Sequence, residues 1–207
     1  MKNNKIFYFT LKMTEEFFLP PNTSGKKTLV LDLDETLVHS QFGPFEYIKS
    51  DIIIKINIDD EIHDIHVLVR PGVKEFLEKI SKKFELVIFT ASISKYASPL
   101  LDILDKNNLC SFRLFRDHCT MLNNSFVKDL TKLGRDLKNV IIVDNSPVAY
   151  CFDNENGIPI LTWFDDKTDR EIYKQLGNSV NVKVLKRISK NLFKLGEEGW
   201  DENGKNE

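Results

Sequence analysis

Two aspartates two residues apart, Asp32 and Asp34, close the apolar run "TLVLDLD" over residues 28–34. In an extended chain that spacing puts both carboxylates on one side, unless a bend at the strand end sends them apart. Carboxylates so close repel each other, and a hard divalent cation is the simplest relief. Oxygen donors with no His or Cys nearby favour magnesium over zinc. Two further apolar runs also finish on polar groups: "ELVIFT" (85–90) on Thr90, and "NVIIVDNS" (139–146) on Asp144 and Asn145. Taken singly, each of these residues reads as a turn former or a helix cap. Taken jointly, they bring carboxylates, an amide and a hydroxyl to one edge, where charge is costly unless it binds something.

The elements that must position these groups are legible from periodicity. The three runs are apolar on both faces, as a parallel sheet covered by helices requires. "GVKEFLEKISKKF" (72–84) puts Val73, Phe76, Leu77 and Ile80 on one helical face, and "SPLLDILDKNN" (98–108) does the same with Leu100, Leu101 and Leu104. Alternating β and α segments predict a doubly wound α/β fold, in which ligands bind outside the carboxyl ends of the strands. "FRLF" (112–115) and "IPIL" (158–161) are candidates for further strands. "DIIIKINIDDEIHDIHVLV" (51–69) alternates apolar and polar residues around Asp59-Asp60, which predicts a β-hairpin inserted after the first strand.

The whole chain has 207 residues, 42% hydrophobic and 29% charged, with a formal net charge of −2. This suits one globular domain of about residues 26–195, with an insertion at about 41–69. A flexible or docking arm is expected over 1–25 and a disordered tail over 196–207. Basic and acidic residues interleave, so direct nucleic-acid or membrane binding is not expected. Lys5, Lys12, Glu15 and Glu16 interrupt the N-terminal apolar residues, leaving no run long enough to span a bilayer. Three cysteines without CxxC spacing argue against a disulfide framework and suggest a reduced intracellular setting. His63 and His66, three apart on a predicted strand, face opposite ways and build no metal site.

"DLDETLVHS" resembles the DxDxT signature of phosphatases of the haloacid dehalogenase superfamily. In its longer form it is similar to the FCP/SCP-type (NLI-interacting-factor-like) phosphatases, which act on the C-terminal domain of RNA polymerase II. Further matches keep order and spacing: "LVRPGVKEFL" (68–77), "FTASISKYASPLLDILD" (89–105), "RLFRDHC" (113–119), "FVKDLTKLGRDLKNVIIVDNSP" (126–147) and "WFDD" (163–166). The resemblance spans about residues 26–185 and is closer to the small members than to those with an added BRCT domain.

The resemblance implies a haloacid dehalogenase-like fold and a magnesium-dependent protein serine/threonine phosphatase. Asp32 would be the nucleophile, giving an aspartyl-phosphate, and Asp34 the general acid and then base. Thr36 would order the loop, and Thr90 and Lys128 would hold phosphate oxygens. Asp32, Asp34, Asn145 and Asp144 would be the Mg2+ set. Arg116 would help hold the substrate, and Phe42, Ile56, Ile58, Ile65, Ile93 and Tyr96 would form an apolar pocket for a proline next to the phosphoserine. The implied partner is a phosphoprotein such as the RNA polymerase II C-terminal repeat, met by a monomer in the nucleus or cytoplasm. Two alternatives stay open. One is a small-metabolite phosphatase, which would need a substantial helical cap; the other is a binding or scaffold relative, in which the first aspartate is usually missing. The loop "TMLNNS" (120–125) and Gly43 depart from the family pattern, and substrate selectivity is what they touch.

Overall fold

The computed structural model describes residues 17–169. Residues 1–16 of the expected arm, 170–195 of the expected domain and the expected tail lie outside the described residues. Five strands form one parallel sheet: β1 (Lys27–Leu31), β5 (Phe84–Phe89), β6 (Cys110–Leu114), β9 (Val140–Asp144) and β10 (Gly157–Pro159), in the order β10-β9-β1-β5-β6. The chain runs outward from β1 to β5 and β6, then returns to lay β9 and β10 on the other side of β1. The topological switch point therefore falls between β1 and β9, where α/β sheets place their ligands.

The predicted runs fill the middle of this sheet because both faces are covered. Leu29 and Leu31 pack on one side with helices α1 (Val73–Ile80) and α2 (Ser94–Leu104), through Val73, Phe76, Leu77, Ile80, Leu100, Leu101 and Leu104. Val30, Val87, Phe89 and Ile142 pack on the other side with Leu19, Leu130, Leu133 and Tyr150. Helix α2 begins four residues before the predicted stretch, where the Ile93 carbonyl accepts from the amides of Tyr96 and Ala97. Pro99 therefore lies inside the helix rather than at its start. The end of the expected arm is docked: the Phe18 amide donates to the Lys132 carbonyl at 2.8 Å, and Leu19 is buried.

The insertion is a three-stranded antiparallel sheet, β2 (Val38–Phe42), β3 (Ile52–Ile58) and β4 (Glu61–Val69), in the order β2-β4-β3. Asp59 and Asp60 join β3 to β4 with φ of 51° and 63°, the pair of left-handed residues a tight hairpin needs. A second hairpin, β7 (Thr120–Leu122) and β8 (Ser125–Val127), turns through Asn123 and Asn124 at φ of 47° and 61°. The sequence reading treats that stretch as a loop, yet an Asn pair between short apolar pieces is itself a hairpin signal. Among the described residues no helix is long and apolar enough to cross a membrane.

Candidate active site

The site begins where β1 ends. The Asp32 amide donates to the Val143 carbonyl at 3.0 Å, which extends the β1–β9 pairing by one residue. The backbone then folds back: the Leu33 carbonyl accepts from the amides of Leu37 and Val38 at 2.8 and 3.1 Å, and Glu35 takes φ of 56°. This bend separates the two carboxylates, so they reach different partners.

Asp32 is buried between a lysine and a hydroxyl. Lys128 Nζ donates to its Oδ1 at 2.5 Å, and Thr36 Oγ1 donates to its Oδ2 at 2.7 Å. The same ammonium donates to Asp144 Oδ2 at 2.6 Å, and Lys128 is only 2% exposed. Burial would strip the lysine of its proton, but the adjoining charges of Asp32 and Asp144 outweigh it and push the ammonium above its ordinary range. Burial raises the Asp144 carboxyl, against the pull of Lys128, with the charge of Asp32 adding to the rise. Part of the carboxylate repulsion assigned to a metal from sequence is thus relieved by Lys128, whose distance along the chain hides the contact.

Asp34 faces the other wall. Its Oδ2 accepts from Thr90 Oγ1 at 3.1 Å and Ser92 Oγ at 2.8 Å, and its Oδ1 accepts from the Tyr96 hydroxyl at 2.8 Å. Burial lifts the Asp34 carboxyl above its ordinary range; the bonds from Tyr96 and Ser92 oppose this, and the charge of Asp32 adds to it. A carboxyl that keeps its proton to higher pH suits general-acid work. Beyond it, Arg116 is tied to the Thr90–Ser92 segment twice, by its amide to the Ser92 carbonyl at 3.0 Å and by Nε to the Ala91 carbonyl at 2.7 Å.

The residues of the expected metal set have different partners. Thr36 Oγ1 lies 2.7 Å from Asp32 Oδ2 and 3.3 Å from Asn145 Oδ1, so these two hard oxygens flank one hydroxyl. The Asn145 amide nitrogen donates to Thr162 Oγ1, which turns its oxygen toward Thr36. Asp144 is engaged by Lys128 on one oxygen and by the Ser146 amide on the other, so it anchors the lysine. The Asp34 carboxylate, also expected in the set, accepts from Thr90, Ser92 and Tyr96. Among the described residues no group of three or more His, Cys, Asp or Glu is placed to hold a metal. One carboxylate and one amide oxygen fit magnesium, which keeps most of its waters, and fit a metal needing a full protein cage poorly.

The six apolar candidates share one region. Phe42 pairs with Ile65 and Ile65 with Ile54, while Ile56 pairs with His63, so Phe42, Ile65, Ile56 and Ile58 line one face of the insertion. Tyr96 and Ile93 approach it from α2, with the Tyr96 hydroxyl 2.8 Å from Ser40 Oγ of β2. Ile56, Ile65 and Tyr96 are buried and belong to the core, which makes them a floor, whereas Phe42 and Ile93 remain exposed.

Two contributors escape the sequence reading. Ser92 is one, and its position two residues after Thr90 was a usable signal. Arg70 is the other: 1% exposed, it donates to the carbonyls of Thr36 and Leu161 at 3.1 and 3.2 Å and pairs with Asp169 at 2.7 Å. An arginine before a proline carries no local mark of such burial, because its three partners come from distant segments.

Known proteins provide an independent comparison. The family model for NLI interacting factor-like phosphatases matches residues 27–189. A human CTD small phosphatase-like protein is 51% identical over 148 residues, covering 72% of this chain and 53% of the relative. The human carboxy-terminal domain RNA polymerase II polypeptide A small phosphatase 1 is 48% identical over 153 residues, covering 74% of this chain and 58% of the relative. The chain thus spans about half the length of the curated relatives it matches. A structure of the fission yeast RNA polymerase II CTD phosphatase Fcp1 bound to beryllium fluoride superposes with a TM-score of 0.56 at 21% identity, covering 80% of this chain and 54% of that one, and shows the shared fold. With the parallel sheet, the three-stranded insertion and a matched segment that carries every residue from Asp32 to Asn145, the chain belongs to the NLI interacting factor-like phosphatases.

Proposed function

We infer that this protein is a magnesium-dependent phosphoserine/phosphothreonine phosphatase working through an aspartyl-phosphate on Asp32. The observation that carries this reading is the division of labour between two aspartates two residues apart. Asp32 accepts from the Lys128 ammonium and the Thr36 hydroxyl, while Asp34 sits among hydroxyls with its proton affinity raised. One is equipped to attack and the other to hand over a proton.

In the first step the Asp32 carboxylate attacks phosphorus and the bond from phosphorus to the seryl oxygen breaks. Asp34 gives that oxygen its proton. Lys128, Thr90 and Arg116 offset the negative charge on the phosphoryl oxygens. In the second step Asp34, now ionised, takes a proton from water, and the water oxygen displaces Asp32 from phosphorus. This releases inorganic phosphate and restores both carboxyls. Magnesium, held by Asp32 and Asn145, would supply charge neutralisation between the attacking carboxylate and the phosphate.

An extended phosphopeptide suits the surroundings better than a small metabolite. The insertion is a three-stranded sheet rather than a helical lid, and Phe42 and Ile93 stand exposed. Apolar walls of this kind suit a rigid proline beside the phosphoserine. The name of the human RNA polymerase II relative makes the polymerase C-terminal repeat the first substrate to try. The deciding experiment measures phosphate release, with and without magnesium, from phosphoserine peptides with and without an adjacent proline and from small phosphorylated metabolites. Magnesium-dependent turnover that favours proline-containing peptides is expected. Preference for the metabolites would overturn the substrate class, and turnover indifferent to magnesium would overturn the metal.

A further inference from the structure

The β7–β8 hairpin has no part in the chemistry above, yet it adjoins the site. Its register places Met121 opposite Phe126 and Thr120 opposite Val127. Directly opposed residues share a face, and Val127 is fully buried, so Met121 and Phe126 form the outer face. Met121 is 58% exposed, and Phe126 is half-buried beneath the Arg116 guanidinium, which lies 4.9 Å from the ring centroid. Arg116 is in turn bonded to the Ala91 and Ser92 carbonyls, and the Ser92 hydroxyl to Asp34. An unbroken line of neighbours therefore runs from Asp34 through Ser92, Arg116 and Phe126 to Met121.

A single exposed methionine needs no explanation, because scattered surface hydrophobes are ordinary. Here the apolar strip is continuous with Arg116, the cation to which the proposed function gives the phosphate. Resting on the phosphatase reading, we propose that Met121 and Phe126 form an apolar subsite for the phosphopeptide. It takes an aliphatic side chain of leucine size, two residues from the phosphoserine and on the side away from Phe42 and Ile93. In an extended peptide, side chains on the same side recur about every 7 Å. With the phosphate under Arg116, the next side chain on that side reaches the Phe126 ring and, one cross-strand step of about 5 Å further, Met121. The flexible thioether of Met121 adapts to an aliphatic partner. The "TMLNNS" stretch, polar at its turn, adds no charged side chain of its own to this strip.

The test uses the full chain and phosphoserine peptides carrying Leu or Ser at the second position on either side, with p-nitrophenyl phosphate as a substrate too small to reach the strip. The wild-type protein should favour Leu over Ser about fivefold to tenfold in kcat/KM on one side only. Met121→Ser should bring that ratio close to one, and Met121→Leu should preserve it, each normalised to the p-nitrophenyl phosphate rate of the same variant. Turnover with no Leu preference on either side, or a ratio that Met121→Ser leaves in place, overturns the subsite alone. Absence of turnover on every ester overturns the phosphatase reading and the subsite with it.

Discussion

The Tyr96 hydroxyl donates to Asp34 Oδ1 at 2.8 Å and lies 2.8 Å from Ser40 Oγ, so helix α2 meets both the loop after β1 and the insertion at one atom. A bond to the ionised form of a carboxyl favours that form, and Tyr96 therefore holds Asp34 down against the rise that burial imposes. Removing the hydroxyl in Tyr96→Phe lets the Asp34 pKa rise further. In the proposed mechanism, cleavage of a serine ester needs Asp34 protonated, so the rate falls as pH climbs through that pKa. The alkaline limb of kcat on a phosphoserine peptide should accordingly move to higher pH in Tyr96→Phe. A limb that stays in place would detach Tyr96 from the proton transfer.

Asp32→Asn keeps an oxygen for the Thr36 hydroxyl but removes the attacking charge. Turnover of p-nitrophenyl phosphate should fall by about a thousandfold or more, with the circular dichroism spectrum unchanged. Asp34→Asn should differ in kind, slowing the serine ester far more than p-nitrophenyl phosphate, whose leaving group needs no proton. Equal losses on the two esters would contradict the acid role.

Lys128→Ala strands the buried carboxylates of Asp32 and Asp144 without a counter-ion. The expected cost is about 3 kcal/mol at pH 7, measured by urea unfolding. Asp144 already has its folded-state pKa raised, and losing the lysine raises it further. The folded variant then binds protons more readily than the unfolded chain, so its stability falls as pH rises and is regained on acidification. The deficit relative to wild type should shrink toward pH 5; a constant deficit would mean that the carboxylates do not depend on the lysine.

Far from the chemistry, Arg135 grips Glu85 through both carboxylate oxygens at 2.9 Å, while Thr28 Oγ1 donates to Glu85 at 2.7 Å. Burial alone would raise the Glu85 pKa, but Arg135 and Thr28 outweigh it and the net shift is downward. The pair's stabilisation is present above the unfolded-state pKa and is lost as pH falls through the folded-state one. Arg135→Ala should cost about 3 kcal/mol at pH 7 and flatten the acid limb of the stability curve. An unaltered acid limb would count against the pair.

Arg70→Lys retains the charge but loses the planar fork that serves Thr36, Leu161 and Asp169 together. The loss should be about 2 kcal/mol in stability. On the proposed magnesium-dependent reading, the magnesium concentration for half-maximal rate should also rise, since the loop carrying Asp32 is less constrained. A variant with lowered stability and an unmoved magnesium requirement would confine Arg70 to folding.

Much of this molecule is legible along the chain because the relevant physics is local. Apolar runs buried on both faces, helical stripes such as Val73, Phe76, Leu77 and Ile80, and the Asp59-Asp60 turn each follow from short-range spacing. So does the gathering of Asp32, Asp34, Thr90, Asp144 and Asn145 at one sheet edge, once the runs are taken as parallel strands. The β7–β8 hairpin was within reach too, through Asn123 and Asn124. The start of α2 was obscured by Pro99, a residue more at home in a first turn than inside a helix.

What only the folded chain decided is which polar atoms meet. The amino-acid sequence determined that two carboxylates close the first strand; the bend at Leu33 decided that they part, one toward Lys128 and the other toward Tyr96. Lys128 stands 96 residues from Asp32, and Arg70 is 99 from Asp169. Contacts at such separations depend on how the whole sheet stacks, and no spacing rule encodes them. Burial then sets the proton affinities of Asp34 and Asp144, because desolvation is a property of the completed core and of no single segment.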